Sequence, residues 1–76
     1  MHEHHHHEEV RKLELGLPYL LKHNQEHVED LKKWIKRARN GHQDEVANDL
    51  EKVLGLSRKI SGYLETALNK LKLGVK

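Results

Sequence analysis

From Pro18 onward, mostly apolar positions recur at alternating spacings of four and three residues. Leu20, Asn24, His27, Leu31, Trp34 and Ala38 form one row, flanked by Leu21, Val28 and Ile35 at seven-residue intervals. That period places the row on one face of an α-helix. Pro18 suits the first turn of such a helix, where its missing N–H costs nothing, and it pushes Leu17 towards extended geometry. Asn40-Gly41 suits the left-handed backbone of a helix end and turn. Lys32, Lys33, Lys36, Arg37 and Arg39 crowd the last two turns, matching the negative end of the helix dipole. A first helix over about 18–40 is therefore predicted.

A second helix is predicted over about 42–73, with Asp44 and Glu45 in its first turn. Val46, Leu50, Val53, Ser57, Ile60, Leu64, Ala67 and Leu71 repeat the alternation, supported by Leu54 and Leu68. Gly55 offers a break, with Ser57 capping a third helix. The stripe keeps its phase across Gly55, however, so one continuous helix is expected. Gly55 and Gly62 fall opposite the stripe, beside Leu56 and Tyr63, either as a second close-contact seam or as tolerated helix glycines.

The expected fold class is all-α: an antiparallel helical hairpin in a domain spanning 10–76. A hairpin leaves each stripe half covered, and pairing two chains through the stripe into a four-helix bundle would bury it. The second helix outruns the first by about ten residues. Its tail from Leu64 needs a cover, which residues 10–17 could provide. Val10, Leu13 and Leu17 fit a helical turn, while Leu13, Leu15 and Leu17 also alternate, and both options stay open.

Size sharpens this picture. Seventy-six residues without cysteine cannot rely on disulfides or thiolate metal sites, leaving idealised helix packing, self-association or a bound metal as supports. A formal charge of +2 is no nucleic-acid signature, and mild acid would raise it through the histidines. The basic cluster over Lys32–Arg39 reads as a helix end, and Trp34 as core. Neither an apolar run of membrane-spanning length nor a signal-peptide segment occurs, so no membrane partner and a cytoplasmic location are expected.

Histidine carries the candidate chemistry. His2, His4, His5, His6 and His7 fall within the first seven residues, followed by Glu8 and Glu9. Residues 1–9 read as a disordered arm, favoured as native over a purification tag because Glu3 interrupts the run. His23 and His27, four apart, place two imidazoles on one helix face, able to grip a borderline divalent ion. Asp30 adds a third candidate ligand at seven residues from His23, and Glu26 points further away. The alternative is that His27 and Asn24 are polar seam residues that fix register. His42 reads as a local turn residue. Catalysis has no support: Ser57 and Ser61 lack a base–orienter pair, and no glycine-rich phosphate loop occurs.

The stretch Leu17–His27, with Trp34 and Ala38 beyond it, resembles a group of uncharacterised small prokaryotic domains. In these a His-rich arm precedes a Pro-led helix carrying His-Asn-x-x-His, then Trp, then an alanine- and leucine-rich second helix. The resemblance spans most of the chain and rests on His23, Asn24, His27 and Trp34. It implies a metal-associated module without assigned activity. Gly55, Gly62, Ala47, Asn48 and Asn69 depart from its more acidic second helix.

Two functions are therefore weighed. The first is capture, storage or hand-over of a divalent transition metal, nickel or zinc foremost, by a homodimer with a possible protein partner for hand-over. His2 and His4–His7 would capture the ion, His23 and His27 anchor it, and Asp30 complete the site. The second is a structural helical interaction or dimerisation module with an irrelevant tract. A pH-responsive association switch through His27 uses the same residues.

Overall fold

A computed structural model describes the backbone of residues 2–74 and the side chains of residues 6–74. Two helices account for it, α1 (His2–Asn40) and α2 (Asp44–Gly74), packed antiparallel as a hairpin of 60 × 15 × 15 Å. The continuous α2 agrees with the phase of its apolar positions: helix runs straight through Gly55 and Gly62.

Helix α1 differs from expectation at its start. It begins at His2 rather than near Pro18, so helix occupies the tract expected to be disordered, and Pro18 lies inside it. An internal proline leaves the carbonyl four residues earlier without its helical donor and costs about 3 kcal/mol. Here that carbonyl belongs to Glu14, an exposed residue, so water can serve it. The extra turns have a use. Val10 and Leu17 are half-buried against the tail of α2, where Leu68 and Leu71 are half-buried in turn.

The helix connection also departs from expectation. The left-handed residue is His42 (φ 60°), and no glycine has positive φ. The Gln43 N–H donates to the Ala38 carbonyl at 2.8 Å, and the His42 N–H donates to the Arg39 carbonyl at 3.0 Å. This pair of bonds is a Schellman cap with His42 at the residue past the helix end. Gly41 stays in the half-helical position before it. The Ala47 N–H then donates to the Gln43 carbonyl at 2.9 Å, which makes Gln43 the N-cap of α2.

The buried core is small: Val28, Ile35, Ala47 and Leu54, with Leu31, Ala38 and Leu50 packed around them. Ala47 is wholly covered and lets the helices approach at the closed end of the hairpin. Further along, Asn24 spans the seam. Its Nδ2 donates to the Ser57 carbonyl at 2.8 Å and to Ser61 Oγ at 2.7 Å. A polar residue with both partners supplied in the seam penalises any slip that would strand it.

A methyl group added at Gly55 or Gly62 meets nothing within 4 Å. Gly55→Ala and Gly62→Ala are each expected to raise stability by about 0.5–1 kcal/mol, and His42→Gly by about 1 kcal/mol, in urea unfolding. A loss at Gly55 would mean that the helix breaks there. Asn24→Ala is expected to lower stability by about 1–3 kcal/mol in the same assay, because it removes both seam bonds.

Candidate functional site

Burial repeats every seven residues along both helices, so the rows can be lettered as a heptad. Leu21, Val28 and Ile35 of α1 and Ala47, Leu54, Ser61 and Leu68 of α2 form row a. Leu17, Asn24, Leu31 and Ala38, with Leu50, Ser57, Leu64 and Leu71, form row d. All of these are buried or half-buried. The sequence stripe had combined row d with row g, the residues just before row a. In the structure row d turns into the seam beside row a, and row g stays outside.

This corrects two expectations. Trp34 is 55% exposed rather than a core residue, with the Arg37 guanidinium 4.8 Å above its ring. His27 is likewise exposed and takes no part in the seam, where the predicted polar members Asn24 and Ser57 are found. The reading of His27 as a register-fixing residue of the hairpin seam therefore falls.

The two sides of the hairpin are unlike. On one side Arg39 Nη2 reaches Glu51 Oε2 at 2.6 Å and Asn48 Oδ1 at 3.3 Å, and its Nη1 reaches Asp44 Oδ1 at 3.5 Å. Arg39 and Glu51 both belong to row e, which also holds Lys32, Arg58, Glu65 and Lys72. Gly55 and Gly62 lie beside it in row b. The other side carries rows g and c: Leu13, Leu20, His23, His27 and Trp34 from α1, and Val46, Val53, Leu56, Ile60 and Tyr63 from α2. Eight of the eleven large exposed apolar side chains lie there. Row c also carries Asp30, Arg37, Asp49 and Lys70, so the two sides differ in apolar content rather than in charge alone.

The histidine pair sits in the middle of this apolar side. His27 Nε2 and His23 Nε2 are 3.1 Å apart, with their rings at 90° and centroids 4.5 Å apart. The Tyr19 ring lies nearly parallel to the His23 ring, with centroids 5.8 Å apart. At that nitrogen separation two outcomes are chemically available. The rings share one proton, or they share one metal ion. Ligand bonds of about 2.0–2.1 Å at angles between octahedral and tetrahedral place two ligating nitrogens about 2.9–3.4 Å apart.

Asp30 is not drawn into this pair. Among the described residues, no three histidine, aspartate or glutamate side chains group closely enough to hold an ion. His6 and His7 line an open apolar groove of about 800 Å³ with Val10, Leu13, Leu17, Ala67 and Leu71, at the far end of the hairpin. With α1 helical throughout, His7 lies sixteen residues from His23, or about 24 Å along the axis. His6 and His7 therefore do not reach the pair within one chain. The side chains of His2, His4 and His5 lie outside the described residues. His42 serves the helix connection.

Electrostatic perturbation is confined to exposed pairs. A hydrogen bond from Lys32, 2.9 Å away, and its charge hold the Glu29 carboxyl below its ordinary range. The bond to Glu51 holds the Arg39 guanidinium above its own. The basic end of α1 and the acidic start of α2 (Asp44, Glu45, Asp49, Glu51) are matched in the sequence. The contacts of Arg39 with Asp44 and Glu51 agree with that match; the contact with Asn48 was not legible.

The segment 13–71 matches the model of the family described as Domain of unknown function (DUF8180). The chain belongs to this family. The DUF8180 segment contains both helices' seam rows, the apolar side and the His23–His27 pair; the N-terminal histidines precede it. Neither a curated protein nor a solved structure matches the chain. Among the described residues of this DUF8180 chain, no helix is long and apolar enough to cross a membrane.

A depressed carboxyl contributes stability above its ordinary pKa, and that contribution is lost as pH falls through the depressed value. Glu29→Gln is therefore expected to flatten the acid limb of a stability–pH profile slightly and to leave neutral pH almost unchanged. A large change at neutral pH would contradict so exposed a pair.

Proposed function

We propose that this protein binds a divalent transition metal, zinc or nickel, for capture, storage or hand-over, and that it works as a homodimer. The observation that carries this reading is the His23–His27 pair: two exposed imidazole nitrogens 3.1 Å apart, the spacing that ligands of one ion adopt. Stacking by Tyr19 supports it, because a ring already oriented loses less freedom on coordination. The chemistry of the donors selects the ion. Neutral imidazole suits zinc, nickel, copper(II) and cobalt, whereas magnesium and calcium prefer oxygen.

The N-terminal histidines play a separate role in this reading. Standing at the other end of the hairpin, they offer exchangeable sites for collecting ions rather than completing the anchor. Asp30 is left as an acceptor able to orient a ring or a bound water. We assign no catalysis: the chemistry proposed is reversible coordination, in the cytoplasm, with release in acid as protons displace the metal.

Isothermal titration of the full chain with zinc, compared with His23→Ala/His27→Ala and with a variant carrying Gln at His2 and His4–His7, separates the two sets. The expected result is a tight class of sites lost only in the double alanine variant, and a weaker class lost only in the tract variant. Identical isotherms for wild type and the double alanine variant would refute the pair as an anchor. The helical interaction module without metal would then be the better reading, on the strength of its apolar side alone.

A further inference from the structure

We infer that a second copy of this chain covers the apolar side and that its own histidine pair completes the metal site. The ion would lie on the two-fold axis, held by two imidazoles from each protomer. This rests on the metal-binding reading and names the partner and the ligand set that it lacks.

Surface area gives the first reason. The chain exposes 6546 Å², whereas a compact monomer of 8.9 kDa exposes about 4,800 Å². Its radius of gyration, 17.4 Å, compares with roughly 11 Å for a compact domain of this length. Leu20, Trp34, Val53, Leu56, Ile60 and Tyr63, each 44–76% exposed, leave on the order of 600 Å² of side-chain surface on one face, the upper limit for a monomer. Two copies would bury about 1,200 Å², where stable interfaces begin.

Row pattern gives the second reason. Two-stranded coiled coils need apolar residues only in rows a and d, while a bundle helix adds a third row, e or g. Row g carries Leu13, Leu20 and Trp34 in α1 and Val46, Val53 and Ile60 in α2, whereas row e carries Lys32 and Arg39 in α1 and Glu51, Arg58, Glu65 and Lys72 in α2. Each helix is thus built for two neighbours and has one.

The histidine pair gives the third. It supplies two donors where a tetrahedral ion takes four, and no third ligand from this chain joins it among the described residues. Leu13 and Leu20 lie on one side of it along α1, and Trp34 on the other. A two-fold axis crossing the helices between His23 and His27 sets α1 against α1 antiparallel. The two pairs then meet, while the apolar residues on either side overlap. The interface is isologous and closed, so no filament follows.

Sedimentation velocity and zinc stoichiometry of the full chain test this, with chelator and with zinc. Expected are dimers with zinc, one pair-bound ion per two chains (the difference between wild type and His23→Ala/His27→Ala), and weaker association under chelator. Ile60→Lys should weaken association at least about tenfold by burying an unpaired charge, and Val53→Lys should do the same should Ile60→Lys not fold. Gly55→Ala, on the charged side, should leave association unchanged. A monomer at the highest soluble concentration that binds one ion per chain through the pair overturns the dimer site and leaves the metal reading standing. A dimer whose zinc uptake ignores the double alanine variant overturns the metal reading and the four-imidazole site together. A dimer indifferent to both lysine variants overturns the assigned face.

Discussion

The apolar band on each helix is wider than one neighbour can cover, and the rest of the structure depends on this mismatch. Rows a and d meet across the hairpin and bury Val28, Ile35, Ala47 and Leu54. Row g cannot turn inwards at the same time, because a helix contacts a single partner along one line. The same geometry fixes where the charges go. Row e, on the opposite flank, faces its counterpart in α2, and there Arg39 finds Glu51 and Asn48. The hairpin is thus a layer with a wet side and an apolar side, and its two histidines stand on the apolar one.

Asn24 decides the register of that layer. An apolar seam tolerates a shift by one heptad at modest cost, since leucine meets leucine again. Asn24 meets the Ser61 hydroxyl beside the Ser57 carbonyl in this alignment. A shift by one heptad would put Leu54 or Leu68 in place of Ser61. By holding the helices in that alignment, it also sets His27 level with Val53 and Ile60 across the apolar side. A polar contact in the seam therefore positions the exposed chemistry on the flank, although it touches none of it.

How much of this could be read from residues alone depends on which rule governed each part. Two helices, their antiparallel pairing and the uninterrupted course of α2 followed from period and phase, which are local properties. The choice of row did not. A band covering rows g, d and a has its centre on d, and periodicity alone does not say to which side the partner lies. The deciding signal was the charge in row e of both helices, Lys32 and Arg39 against Glu51 and Glu65, which marks the watered flank. Counting apolar residues without weighing those charges put Trp34 and His27 in the core. The start of α1 was misjudged for a different reason: proline's local preference for a first turn was outweighed by the cover that Val10 and Leu17 give to the tail of α2. His23 and His27 were legible from spacing. The separation of the N-terminal histidines from them was not, because it required knowing that the intervening chain is rigid helix.

Rows a and d belong to the hairpin, and row g is assigned to a second copy by the proposed pairing. Methyl NMR on a dilution series of the metal-loaded full chain tests it most directly. The signals of Val46, Val53, Leu56 and Ile60 are expected to shift with concentration, while those of Val28, Ile35 and Leu54 stay fixed. Seam methyls that move with dilution, or flank methyls that do not respond at any concentration, would contradict it.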